Sequence, residues 1–266
     1  MVLRLAMPVL LLSASLSCAA AQSTCSPIRI AYLDQHRPPY WLGDGKQVAE
    51  PPGAGVELLR EAAAEMGCEV SFVRLPSMRI LAALAAGEID FAPVEERPAY
   101  PAGVQLPPGA DGAPDRDKAV LLQVDVVVRA ADTPANTEPR RYFLHHALGV
   151  ATGAAYTAAL RQAGLEVDDG ARDVGRNLDK LRLHRLDGVA VSVMQPGDLD
   201  AYLSANYPGQ FQRLEQPLIS SHIWLAASSA YYHQHREQTE AMWNWLGPAH
   251  RAHMAEIVKR YARPGQ

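Results

Sequence analysis

The side chains whose positions single them out for acid, base or metal-ligand chemistry are His36, the pair Glu95-Glu96, the adjacent His145-His146, and Cys25 and Cys68. His36 and Glu95-Glu96 stand in Pro-rich segments, where a carboxylate or imidazole can be poised to move a proton. No nucleophile stands at a recognisable spacing from a base, so the pattern falls short of a catalytic constellation. His145-His146 offers imidazoles to a metal in principle, yet neighbours on an extended segment point to opposite sides, and neither a metal nor a cofactor is expected. Cys25 lies just before the apolar run IRIAYL and Cys68 just before EVSFVRL. If those runs are neighbouring parallel strands, both thiols lie at one edge of the sheet and a disulfide is natural there. A third ligand is missing nearby in sequence, which weighs against a thiolate metal site.

The elements that position these groups alternate. IRIAYL reads as a buried strand, VELLREAAAEMG as a helix closing on Gly67, EVSFVRL as a strand, PSMRILAALAAG as a helix starting near Ser77, and IDFAPV as a third strand. Strand and helix in alternation mean a parallel sheet with right-handed crossovers. The helix-to-strand hand-off LAALAAGEIDFAP at residues 81–93 returns as LDKLRLHRLDGVAVS at residues 178–192, so the α/β unit occurs twice. Two long β-rich runs, AVLLQVDVVVRAA and LISSHIWLAAS, separate the copies, and the helices REQTEAMWNWL and HRAHMAEIVKRYA close the chain. Their Trp243, Trp245 and Tyr261 are expected to be core contacts. The result is an α/β chain of two lobes, each a sheet flanked by helices, joined by two crossing strands. The expected division is residues 22–125 with 225–266 in one lobe and 126–224 in the other. Ligands in such sheets sit at the carboxyl ends of the strands, here facing an interlobe cleft.

Over 266 residues the net charge is −4 with a pI near 6.1, which gives no basic footprint for nucleic acid. Residues 1–21 read as a secretory signal, with Arg4, an apolar stretch and small residues ending at Ala21. Cys18 raises a rival reading as a lipid-modified cysteine. No later run reaches the roughly 18 apolar residues of a membrane span, so an exported, periplasmic protein is expected, in a compartment that favours bridged cysteines.

The stretches IRIAYLDQHRPPYWLGDG, GAGVELLREAAAEMG, LAALAAGEIDFAP, VDVVVR, LGVATGAAYTAAL and HRLDGVAVS occur in the order found in one family. The chain resembles the family 3 extracellular solute-binding proteins, the polar amino-acid receptors of bacterial ABC importers. The resemblance implies the two-lobed periplasmic-binding-protein fold, a small-molecule ligand held in the cleft, an ABC permease or a sensor domain as partner, and a monomer without catalytic activity.

It also implies a set of ligand-binding residues. An aromatic after the first-strand prolines corresponds to Tyr40, with Trp41 beside it; such a face attracts a bound cation by roughly 0.5 to 2 kcal/mol, or else latches the loop. A second aromatic position is Met78 here, still an apolar wall. Arg79 beside it points into the cleft or pairs on the surface. The arginine that forks onto a ligand carboxylate corresponds to Arg97, after a connection shorter than the family's usual one. In the second lobe, TGAAYT from Thr152 to Thr157 is expected to open a helix, with Thr152 and Tyr156 facing the cleft and Thr152 also able to cap.

The aspartate that pairs with a ligand's α-ammonium corresponds to Ser192, which carries no charge. Either Asp198, Glu95 or Asp34 replaces it, or the ligand is a carboxylate without an obligatory ammonium. The rival classes are a dehydratase-like enzyme on the same scaffold and an accessory protein with a degenerate ligand site.

Overall fold

The computed structural model describes residues 25–261, with the side chains of residues 248–252 left aside; the signal-sequence reading and Cys18 fall outside it. The first lobe begins with β1 (Ile28–Leu33), α1 (Ala54–Glu65), β2 (Val70–Leu75), α2 (Ser77–Ala85), β3 (Phe91–Glu95) and the short β4 (Val104–Gln105). β5 (Val120–Arg129) leads into α3 (Pro139–Tyr142), β6 (Leu148–Ala151), α4 (Thr157–Gln162), β7 (Val167–Ala171), α5 (Val174–Arg182), β8 (Gly188–Val193), α6 (Pro196–Asn206) and β9 (Phe211–Arg213). β10 (Ile219–Ser228) returns to α7 (Ser229–Gln234), α8 (Arg236–Trp245) and α9 (Pro248–Tyr261).

The sheet order β2-β1-β3-β10-β5-β8-β6-β7 is one hydrogen-bonded path, not two separate sheets. β5 and β10, the two long β-rich runs, join its halves. They pair antiparallel from Ile219↔Val124 to Ile223↔Val120, after which β10 runs on along β3 and β5 along β8. Both are therefore crossing strands. One core gathers Ile30, Tyr32, Trp41, Leu58 and Phe91 with Trp243, Met254 and Ile257, and Trp245 and Tyr261 pack against it. The cores around β6 and β8 draw on residues between Val124 and Leu218.

The repeated helix-to-strand hand-off has a physical cause. After α2, the Asp90 carboxylate accepts the backbone N–H of Arg29 on β1 at 2.7 Å; after α5, the Asp187 carboxylate accepts the backbone N–H of Ala147, next to β6, at 2.9 Å. Each aspartate also pairs with an arginine, Arg29 at 2.7 Å and Arg129 at 3.6 Å. The polar residue between helix and strand thus ties the new strand to its parallel neighbour in both lobes.

The predicted strands β1 and β2 pair in parallel, and Cys25 and Cys68 are bridged at their common edge, with Cα atoms 4.9 Å apart. Three short elements depart from the sequence reading. β7 is VDDGA, too polar for the apolar-run criterion because it is the edge strand and only Ala171 is fully buried. TGAAYT enters a helix only at its last residue: α4 starts at Thr157, with Tyr156 and not Thr152 at the cap position, and no side chain caps it. His145 and His146 lie in a bend, not on an extended segment, and His146 stacks on Tyr142 at 3.8 Å.

Candidate functional site

The carboxyl end of β1 feeds a loop with one isolated backbone bridge, Arg37 to Trp41, and Arg74 holds the rest of it. This guanidinium, only 2% exposed, donates to the carbonyls of Leu33, Gln35, Gly43 and Gln47 at 2.7 to 3.3 Å, and it lies over the Tyr32 ring. Five fixed donors suit a segment rich in unpaired carbonyls. Trp41 folds back from the same loop, stacks on Tyr32 at 5.2 Å and presses against Gly55, where a Cβ would stand 2.4 Å from its ring.

Between the lobes lies a cavity of about 660 Å³. The first lobe supplies Gln35, Arg37 and Trp41 from this loop, Ser77, Met78 and Leu81 from α2, and Glu95 and Arg97 from the end of β3. The second lobe supplies Ala151 and Gly153 to Ala155 beyond β6, Thr157, Ala158 and Arg161 on α4, and Asp169 on β7. That wall is built mainly of small apolar residues. Its charged groups face each other in pairs. Arg161 meets Asp169 at 2.9 Å, and on the opposite wall Arg37 meets Glu95 at 3.6 Å with both side chains mostly covered. Arg97 differs: its Nε is buried with no hydrogen-bond partner, and its guanidinium lies 6.0 Å from the centre of the Tyr100 ring.

The lobes touch directly around this cavity. Gln35 Nε2 donates to the Thr152 carbonyl at 2.9 Å and Ser77 Oγ to the Gly153 carbonyl at 3.2 Å. Gly153 has φ of +78°, and a Cβ there would stand 2.4 Å from Ser77 Oγ, so the approach requires glycine. Tyr40 donates to Asp198 at 2.5 Å and accepts the Met194 backbone N–H at 3.0 Å. Burial pushes the Asp198 carboxyl up, and the Tyr40 hydrogen bond opposes that. Arg172 reaches across to Asp34 at 3.1 Å and Asp44 at 3.3 Å.

Of the residues the sequence singled out, Trp41, Met78, Glu95 and Arg97 line the cavity, with Met78 at 80% exposure. The others stand elsewhere. Tyr40 is 5% exposed and bound to the other lobe, and Asp34 is held by Arg172. Thr152 turns its hydroxyl to the carbonyls of Asp169 and Ala171, at 2.8 and 3.1 Å, and so anchors β6 to β7. Tyr156 is buried in the second-lobe core, donating to the Ala190 carbonyl at 3.3 Å, and burial pushes its hydroxyl up. Ser192 is 7% exposed on β8, with its Oγ turned toward the Tyr156 hydroxyl inside the second lobe.

Sequence reasoning missed Gln35, Arg37, Ser77, Thr157, Arg161 and Asp169. Arg37 stands inside the quoted HRPPY motif and Arg161 one helical turn after Thr157, so both signals were present. The acid and base candidates do not converge. Glu95 faces Arg37, Glu96 accepts from His222 at 2.9 Å, and His36 accepts the Gly43 N–H at 3.1 Å, with burial holding its pKa down. Arg79 is exposed and off the cavity wall.

Residues 28–96 match the family model described as bacterial extracellular solute-binding proteins, family 3, the family that the motifs resemble. The fold is similar to the GluR0 ligand binding core in complex with L-glutamate, with a TM-score of 0.69 and 15% identity, covering 90% of this chain and 100% of that one. It is similar to AbpA of Streptococcus pneumoniae, an amino acid ABC transporter substrate-binding protein bound to L-arginine, with a TM-score of 0.62 and 12% identity over 89% of this chain and 94% of that one. The BvgS VFT2 domain of Bordetella pertussis follows at 0.60 and 16%, covering 88% and 92%. At these identities the likeness is one of fold. The matched family and the transporter component are binding proteins by description. No curated protein matches the chain by sequence.

Proposed function

We propose that this chain is a periplasmic solute-binding protein that closes its two lobes on a small polar or anionic metabolite, an amino acid or related carboxylate, and presents it to an inner-membrane ABC permease or a sensor domain. The observation that carries the reading is Arg97. The Arg97 guanidinium lines the interlobe cavity and forms no ion pair among the described residues, so its charge is left for an anionic ligand. The cavity of about 660 Å³ is in the range of small-molecule sites. The lobes that close are taken as residues 22–125 with 225–266 and residues 126–224. The family match and the ligand-bound neighbours support this reading, and the two kinds of partner correspond to the AbpA and BvgS likenesses.

Thermal-shift screening against amino acids, organic acids, amines and nucleobases tests it, because a ligand that binds only the folded form raises its stability. A carboxylate-bearing compound is expected to raise Tm, and Arg97→Met to abolish that shift. Hits confined to amines or nucleobases, or a shift untouched by Arg97→Met, would overturn the reading.

A further inference from the structure

An α-amino acid brings an ammonium as well as a carboxylate into the cleft, and a buried ammonium needs an anionic partner. Ser192, at the position where the family resemblance places an aspartate, provides none; it is buried on β8 away from the cavity lining. Three carboxylates were available to replace it, and each is engaged. Asp198 accepts from Tyr40 at 2.5 Å outside the cavity, Asp34 is paired with Arg172 at 3.1 Å, and Glu95, the only one of the three on the cavity wall, faces Arg37 at 3.6 Å. The other lining carboxylate, Asp169, is paired with Arg161 at 2.9 Å.

Among the described lining residues the ionic groups are therefore two arginine–carboxylate pairs and Arg97. The cleft carries one positive charge in excess, and neither carboxylate is free. The remaining lining sets the polar Gln35, Ser77 and Thr157 among a larger apolar surface from Met78, Leu81, Pro93, Ile223 and the second-lobe alanines.

We infer that Arg37 determines specificity by occupying Glu95, so that the cleft takes carboxylates with an apolar body and no α-ammonium. This rests on the solute-binding reading above and narrows its ligand class. One negative charge on the ligand completes the charge balance at Arg97, whereas a zwitterion leaves its ammonium facing pairs that are already made. Arg37 is also well placed for such a role. Its backbone N–H and carbonyl are fixed by Trp41 and Tyr40, so its side chain leaves the loop from a set position beside the end of β3.

Calorimetric titration of matched pairs tests the inference: 4-methylpentanoate against L-leucine, 3-phenylpropanoate against L-phenylalanine, and hexanoate against L-norleucine. In each pair that binds wild type, the des-amino member is expected to bind at least tenfold more tightly. Arg37→Gln frees Glu95 and is expected to shrink that preference at least tenfold, through a gain in amino-acid affinity. Adding Glu95→Gln to that variant should remove the gain, an outcome that general loosening of the loop would not produce. A tenfold wild-type preference for an amino acid overturns the inference and leaves the solute-binding reading intact. An unchanged preference in Arg37→Gln overturns the role of Arg37. Binding of none of the six overturns the ligand class, and the broader reading then stands or falls on the Arg97-dependent thermal shift alone.

Discussion

The Tyr40 hydroxyl donates to the Asp198 carboxylate at 2.5 Å although the two residues belong to different lobes, one on the loop after β1 and the other on α6. The same oxygen accepts the Met194 backbone N–H at 3.0 Å, so one side chain ties two points of the second lobe to the first. An aromatic read from the sequence as a ligand contact is a clasp between lobes.

Tyr40→Phe should therefore loosen closure without emptying the core, since the ring stays and only the hydroxyl leaves. A hydrogen bond to a charged group contributes about 1.5 to 3 kcal/mol, which shifts an open–closed equilibrium by roughly tenfold to a hundredfold. Small-angle scattering of the unliganded protein is expected to show a larger radius of gyration for the variant. Equal radii would mean that the other interlobe contacts suffice.

Asp90 and Asp187 should behave as equivalent residues in their two lobes. Removing either carboxylate leaves a strand-edge N–H, that of Arg29 or of Ala147, without its acceptor. The expected loss is about 1 to 3 kcal/mol for Asp90→Ala and for Asp187→Ala, read as a lower urea midpoint. Substitution of Glu88, exposed two residues before Asp90, serves as the control and should change little.

These aspartates show what the sequence made legible. A helix period that stops at a polar residue before an apolar run has one sensible local structure, and it recurs, so both α/β units and the crossing strands could be read in order. The cleft lining was less legible. Whether Arg37 or Tyr40 points into the cavity depends on how Arg74 grips the carbonyls of a Pro-rich loop, and on an α6 carboxylate that meets Tyr40 from the other lobe. The resemblance placed a helix start between Thr152 and Thr157. The edge strand β7 instead gives the Thr152 hydroxyl two carbonyls to bind, and the helix begins at Thr157. Arg97 and Met78 were legible through the family resemblance, and each lies within two residues of the end of a regular element, where position transfers well.

The Cys25–Cys68 bridge closes a span of 43 residues containing β1 and α1. Loop-closure entropy for such a span is on the order of 4 kcal/mol, and measured losses for native bridges run about 2 to 5 kcal/mol. The double variant Cys25→Ser/Cys68→Ser should lose stability in that range in urea unfolding, and dithiothreitol should lower the wild-type midpoint without affecting the variant. A reductant-insensitive wild type would show that the bridge contributes nothing.

Asp125 gives the stability of the fold a pH dependence of definite sign. It sits fully buried on the crossing strand β5, neither carboxylate oxygen has a hydrogen-bond partner, and the nearest cation, Arg213, stands at 3.7 Å. Arg213 is itself held by Asp200 on α6 at 3.0 Å, so its charge is already shared, and Asp200 adds repulsion. Burial raises the Asp125 carboxyl from its ordinary 3.8 to about 6, with Arg213 opposing. The folded protein then keeps a proton that the unfolded chain gives up. The contribution is fully present below about pH 4 and is lost as pH rises through about 6, since stability falls wherever the folded state binds more protons. A shift of this size corresponds to about 2 to 3 kcal/mol. Asp125→Asn keeps the shape, cannot ionise, and leaves Arg213 paired with Asp200. It should match wild type near pH 4 and exceed it by about 2 kcal/mol at pH 7.5. Urea unfolding of both proteins at pH 4, 5, 6 and 7.5 measures the difference, and a difference that stays constant across that range would show that Asp125 is ionised in the folded state throughout.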